Sequence, residues 1–171
     1  MIPAWVGDDL VPVEKLEVHR RGLRHMAVSV FVVAGKRVLI QQRAMTKYHT
    51  PGLWANTCCT HPHWEENPDD CALRRIDEEL GITGLSLSHR GRVEYRADVG
   101  GGLVEHEVVD IYLARASDNL KFTPNPDEVM DAIWIDIDDL AKEAIRRPER
   151  FPPWPRLYLD NHHGTIFGSL N

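Results

Sequence analysis

Apolar and polar positions alternate along this chain in blocks whose period shifts from two to nearly four and back, and the blocks give an order of elements. Met26 to Val33 is an almost unbroken β-branched run and Arg37 to Gln42 a second, with Ala34-Gly35-Lys36 between them as a hairpin turn. After a loop that carries Arg43, Lys47 and Pro51-Gly52, Leu53 to Thr60 reads as one further strand. The period then lengthens. Asn67-Pro68-Asp69-Asp70 offers a cap, a proline at the first position and acids in the first turn, which predicts a helix ending at Leu80 before Gly81. Its apolar stripe is expected at Leu73, Ile76 and Leu80, with Arg74/Glu78 and Arg75/Glu79 paired four apart on the polar side. Ser86 to Ala97 and Leu103 to Leu113 form a long hairpin through Gly100-Gly101-Gly102. Ala132 to Ile137 supplies another strand, Ile137 to Arg147 a helix, and Phe151-Pro152-Pro153-Trp154-Pro155 a rigid turn into a short helix. Together these predict an α+β fold, a mixed and mostly antiparallel sheet flanked by helices.

Composition narrows the picture. A chain of 171 residues, 43% hydrophobic and 27% charged, fits one domain over residues 1–171 that buries about two thirds of its unfolded surface. A formal charge of -6 argues against a nucleic-acid partner, which requires clustered Lys and Arg. The longest apolar run, Met26 to Ala34, is too short to span a bilayer, and the first residues lack the basic start of a secretory signal. No membrane insertion and a cytoplasmic location are expected. Cys58 and Cys59 point to opposite faces of a strand, so the three cysteines predict no disulfide framework. Cys58 and Cys71 are assigned to packing.

Two spacings carry candidate chemistry. Cys59 and His61 lie two apart in a strand, which puts a thiol and an imidazole on one face. Glu105 and Glu107 repeat that spacing among apolar neighbours, although the register leaves open whether they or Val104, His106 and Val108 face inward. Spacing alone does not single out His19 or His25. They are, however, available with His61 to complete a set of three imidazoles and two carboxylates suited to a divalent first-row metal. His106, His162 and His163 are read as non-ligands.

The helix from Pro68 carries an altered copy of the Nudix box, matched at Glu66, Arg74, Ile76, Glu78, Glu79, Leu80, Gly81 and Ile82. Thr60 stands in place of its glycine and Arg75 in place of its first glutamate. With Pro51-Gly52-Leu53-Trp54-Ala55-Asn56-Thr57-Cys58-Cys59-Thr60-His61-Pro62, Tyr95-Arg96, Glu105-His106-Glu107 and Pro153-Trp154, this resembles the type I isopentenyl diphosphate isomerases over about Val13 to Trp154. The resemblance implies a Nudix-type fold and metal-dependent conversion of isopentenyl diphosphate to dimethylallyl diphosphate through a carbocation, in isoprenoid biosynthesis. It implies Cys59 and Glu107 as acid and base, with Tyr95 as a relay to Glu107. His19, His25, His61, Glu105 and Glu107 would hold one divalent ion (Mn2+, Mg2+ or Zn2+), and Glu79 a Mg2+ that arrives with the diphosphate. Lys15, Arg43, Lys47 and Arg75 would grip the diphosphate, Trp154 would stabilise the cation, and Trp54 would line the same cavity. The partner expected is therefore a small prenyl diphosphate. Two other readings remain: a Nudix diphosphohydrolase, and a non-catalytic domain in which Cys58, Cys59, His61, His63 or Cys71 hold zinc.

Overall fold

A computed structural model describes residues 1–117 and 119–168 of the chain. Among the described residues, nine strands form one mixed sheet organised around β3 (Arg24–Ala34). Along its length β3 pairs antiparallel with β1 (Ile2–Val6), with β6 (Cys58–Thr60) and with β4 (Arg37–Arg43), and it runs parallel to β8 (Leu103–Arg115) over ten registered pairs. A strand so surrounded is buried on both faces, which is why Met26 to Val33 reads as continuous rather than alternating apolar sequence. β2 (Asp9–Val13) pairs with β1, β5 (Trp54–Asn56) and β9 (Val129–Asp136) with β4, and β7 (Leu87–Gly100) with β8. The glycines at the β7–β8 turn have positive φ at Gly100, Gly101 and Gly102, the backbone that glycine adopts without steric cost.

Helices cover both faces. α2 (Pro68–Leu80) lies over Val28, Val30, Val32 and Leu39, burying Cys58 and Cys71 as expected for packing residues. On the other face Ala27, Phe31 and Val33 of β3 and Val109, Ile111 and Leu113 of β8 meet α3 (Ile137–Arg146), α4 (Pro153–Asn161) and α5 (His163–Phe167). The alternation along β3 decides which residues face which layer: odd-numbered positions point to α4, even-numbered ones to α2.

Three expectations are corrected. Leu53 to Thr60 is not one strand. Thr57 divides β5 from β6 because its hydroxyl donates to the Leu39 carbonyl and accepts from the Val32 amide, pinning the chain between β3 and β4. The buried stripe of α2 is Cys71, Ala72, Ile76, Glu79 and Leu80, whereas Leu73 is 39% exposed. Glu79 is therefore not on a polar face: it is 2% exposed and held by Arg75 at 2.5 Å and by the Gln41 amide at 2.8 Å. Pattern alone also missed the β1–β2 hairpin and α1 (Lys15–Arg21).

Candidate active site

The site lies on the face of the odd-numbered positions of β3, with β8 paired along one edge of that strand and β6 along the other, and sheet register builds most of it. Glu105 and Glu107 continue the inward row of Val109, Ile111 and Leu113 towards the start of β8, which settles their orientation as buried. Glu107 is the register partner of His25 on β3 and of Tyr95 on β7, so imidazole, carboxylate and phenol form one rung across three strands. The Tyr95 hydroxyl donates to Glu107 at 2.7 Å and lies 2.9 Å from Glu105. Cys59 lies opposite Ser29 on β6, and His61 follows beyond the end of that strand.

His19, which spacing did not identify, comes from the last turn of α1 and is fully buried. His19, His25, His61 and Glu107 converge with ligand atoms within 4.8 Å of one another, and His19, His49 and Glu105 form an adjoining group. The tautomers are set by the backbone: His19 Nδ1 donates to the Lys15 carbonyl and His25 Nδ1 to the Leu23 carbonyl, each at 2.7 Å. Their Nε2 lone pairs must then point inward. His25 Nε2 sits 3.2 Å from His61 Nε2, which in turn is 2.9 Å from Glu107 Oε1. Within the group only His61 Nε2 can carry a proton, and the hydroxyls that reach it from outside are Tyr48, 3.4 Å from His19 Nε2, and Tyr95, which donates to Glu107. Such a donor set fits a divalent cation, which satisfies several lone pairs at once.

Burial governs the ionisation here. It lowers His19 to about 4 and His61 well below the ordinary imidazole value, so both rings are neutral at neutral pH, the form a metal ion would require. Burial, with the charge of Glu107 beside it, pushes Glu105 well above the usual carboxylate range. Burial acts upward on Glu107 too, but contacts with His25 and His61 outweigh it and hold that carboxyl well below the range. Burial also pushes the Cys59 thiol up to about 12.

A narrow chamber of about 30 Å³ is bounded by Cys59, His61, Tyr95, Glu105, Glu107 and Trp154, with Lys15, Arg43, Lys47 and Arg75 at its rim. It adjoins a 530 Å³ cleft that shares Lys15, Lys47 and Arg75. Mutual proximity of these cations, after burial itself, lowers Lys15 to about 8. Arg43 reaches over the Trp154 ring, 5.5 Å from its centroid. Glu79 lies behind Arg75 and is not in either histidine group. Trp54 packs in the core and is not among the chamber residues.

Several residues here carry no sequence signal. His49, lowered to about 3 by burial and by Arg43, stands 3.5 Å from Glu105 and edge-on to Trp154. Its loop, Tyr48-His49-Thr50, has no periodicity to mark it. Glu128 pairs with Lys47 and, at 3.3 Å, with Arg75. Among the described residues the candidate metal groups contain no cysteine, which leaves the zinc-binding reading without a converged Cys set.

The NUDIX domain family model matches residues 23–156. A protein of Roseobacter denitrificans named isopentenyl-diphosphate Delta-isomerase is 62% identical over 99% of this chain and 97% of its own length. One of the same name from Cereibacter sphaeroides is 64% identical over 99% of this chain and 96% of its own. The fold is similar to the crystal structure of a Deinococcus radiodurans protein at a TM-score of 0.71 and 14% identity, covering 93% of this chain and 96% of that one.

Proposed function

The chain belongs to the NUDIX domain family and, within it, to the isopentenyl-diphosphate Delta-isomerases; from that premise we propose that Cys59 and Glu107 move the two protons of the isomerisation. The terminal alkene carbon of isopentenyl diphosphate gains a proton, positive charge falls on the neighbouring tertiary carbon, and a proton leaves the carbon on the diphosphate side to give dimethylallyl diphosphate. One of the pair donates, the other accepts, and the roles exchange on the return reaction.

The observation that carries this reading is the chamber itself, with a protonated thiol and an ionised carboxylate both on its wall and an indole beside them. A tertiary cation would be captured by water, so the chamber must be dry and free of competing nucleophiles. The face of Trp154 supplies about 2 kcal/mol of cation–π stabilisation when desolvated. Tyr95 holds the Glu107 carboxylate at 2.7 Å and can pass a proton to it.

His19, His25, His61, Glu105 and Glu107 would hold a divalent cation, whose chemistry is to fix the Glu107 carboxylate and tune its basicity. Lys15, Arg43, Lys47 and Arg75 are the candidate diphosphate contacts, grouped at the cleft as point charges and planar forks suited to phosphate oxygens. Arg75 thus has a binding role where a Nudix hydrolase has an acid. Glu79 is the candidate ligand of the Mg2+ that accompanies the diphosphate, and it would exchange Arg75 for that ion.

Proton NMR in deuterium oxide tests the reading, with isopentenyl diphosphate and Mg2+ supplied to the purified protein. Dimethylallyl methyl signals with deuterium uptake and no free phosphate are expected, and phosphate release in their place would establish a diphosphohydrolase instead. Cys59→Ala should cut turnover by about 10²–10⁴-fold while metal content stays as in the parent. Near-normal turnover would remove Cys59 from the chemistry.

A further inference from the structure

Cys59 does not stand alone at the chamber wall. Its Sγ lies 2.8 Å from Asn56 Oδ1 and 3.3 Å from Ser29 Oγ, and Ser29 Oγ lies 3.0 Å from the hydroxyl of Tyr158. All of this is buried apart from part of Cys59.

The direction of each hydrogen bond follows from the first. The Asn56 amide nitrogen donates to the Val30 carbonyl at 3.1 Å and to the Cys58 carbonyl at 3.0 Å. Both of its protons are committed, which fixes the amide orientation and leaves Oδ1 only as an acceptor. The thiol must therefore donate to Asn56. With its single proton engaged there, Sγ can only accept from Ser29, and the Ser29 oxygen is then open to the Tyr158 proton. The chain runs Tyr158 to Ser29 to Cys59 to Asn56, each donor backing the next.

We propose that Ser29 and Tyr158 are positioning residues for the Cys59 thiol, holding its sulfur by a hydrogen-bond chain that starts on the helix carrying Trp154. The inference rests on the isomerase reading of the chamber. Trp154 and Tyr158 are four residues apart on α4, hence on one face of that helix. The seating of α4 therefore places the indole on the chamber and the phenol on Ser29, which bonds the thiol, in a single movement. Tyr158 also packs edge-on against Tyr95, with ring centroids 6.3 Å apart, and Tyr95 holds Glu107. One side chain thus touches the supports of both acid/base groups. A phenylalanine at 158 would fill the core equally well, so packing alone gives no reason for the hydroxyl.

The test uses the full chain loaded with its divalent cation, in parent, Ser29→Ala and Tyr158→Phe forms. Turnover is expected to fall by about 10- to 100-fold, the range a slight misplacement of a reacting group costs, with KM within about twofold because the diphosphate contacts are untouched. The infrared S–H stretching band of Cys59, isolated by difference against Cys59→Ala, should move to higher frequency in both variants as its hydrogen-bond chain is cut. Unchanged turnover in both variants overturns the proposal. So does a joint loss of turnover, KM, metal content and thermal midpoint, which is the pattern of a residue needed only for folding. If the parent itself forms no dimethylallyl diphosphate, the isomerase reading fails separately, and the band decides: a shift supports the positioning chain, an unmoved band overturns it.

Discussion

Two carboxylates two residues apart on β8 meet opposite fates. Glu107 has His25 and His61 against it and stays ionised, while Glu105 faces its neighbour's charge in a buried position and holds a proton. A cation bound by both must displace that proton. Loading of the divalent ion should therefore release about one proton per ion near neutral pH, with affinity that weakens as pH falls. Calorimetric titration in buffers of different ionisation enthalpy measures the release, which Glu105→Gln should abolish; an unaltered release would assign the proton elsewhere. Arg75 makes a second residue-level prediction. It is spent on Glu78, Glu79 and Glu128 in this structure, so Arg75→Glu adds a like charge to an acidic cluster and removes a phosphate contact. KM for isopentenyl diphosphate should rise at least about tenfold, the equivalent of one charge-assisted hydrogen bond. An unchanged KM would take Arg75 out of the diphosphate site.

At the scale of elements, α2 shows how a helix terminus fixes the side chains near it. Gly81 ends it at φ 64°, and its amide bonds the Asp77 carbonyl at 2.7 Å. An added Cβ would lie 3.4 Å from the Thr123 carbonyl oxygen. Gly81→Ala should cost at least about 1 kcal/mol for the left-handed backbone, lowering Tm by about 2–4 °C in a chain of this length; a scanning calorimetry trace with no shift would rule out that strain. The ending of α2 was legible because proline, acids and glycine mark a helix chemically. The face it buries was not, since Glu79 is interior only by virtue of Arg75 and Gln41, which periodicity does not register. Likewise the pairs Cys59/His61 and Glu105/Glu107 could be read because strand period makes two-apart residues neighbours. His19 and His25 could not, as one lies on a seven-residue helix and the other on a strand, and only the turn at Gly22 brings them together. Ser29 and Tyr158 were invisible for a similar reason: they meet across 129 residues of chain.

For the whole molecule, the buried imidazoles predict an acid limit. His19 and His49 are lowered to about 4 and about 3 in the folded state from an ordinary value of 6.5. Between those values and 6.5 the unfolded chain binds protons that the folded one excludes, so stability falls as pH falls through that window. The urea midpoint of the cation-free protein should decline steadily from pH 6.5 towards pH 4, and His49→Asn should flatten the decline; a midpoint independent of pH would show the rings to be charged in place. A related consequence belongs to the parallel pairing of β3 with β8. Its register sets His25 beside Glu107, while His19 and His61 arrive from α1 and from the end of β6. If β8 slipped by one residue, both glutamates would turn to the far face, and the cluster would lose its carboxylates while the sheet kept most of its backbone bonds. A cation in solution would ignore that misaligned chain and bind only the correctly threaded one, withdrawing it from the refolding equilibrium. An ion held between His25 and Glu107 would thus double as a proofreader of strand alignment, an editing duty distinct from any part it took in turnover.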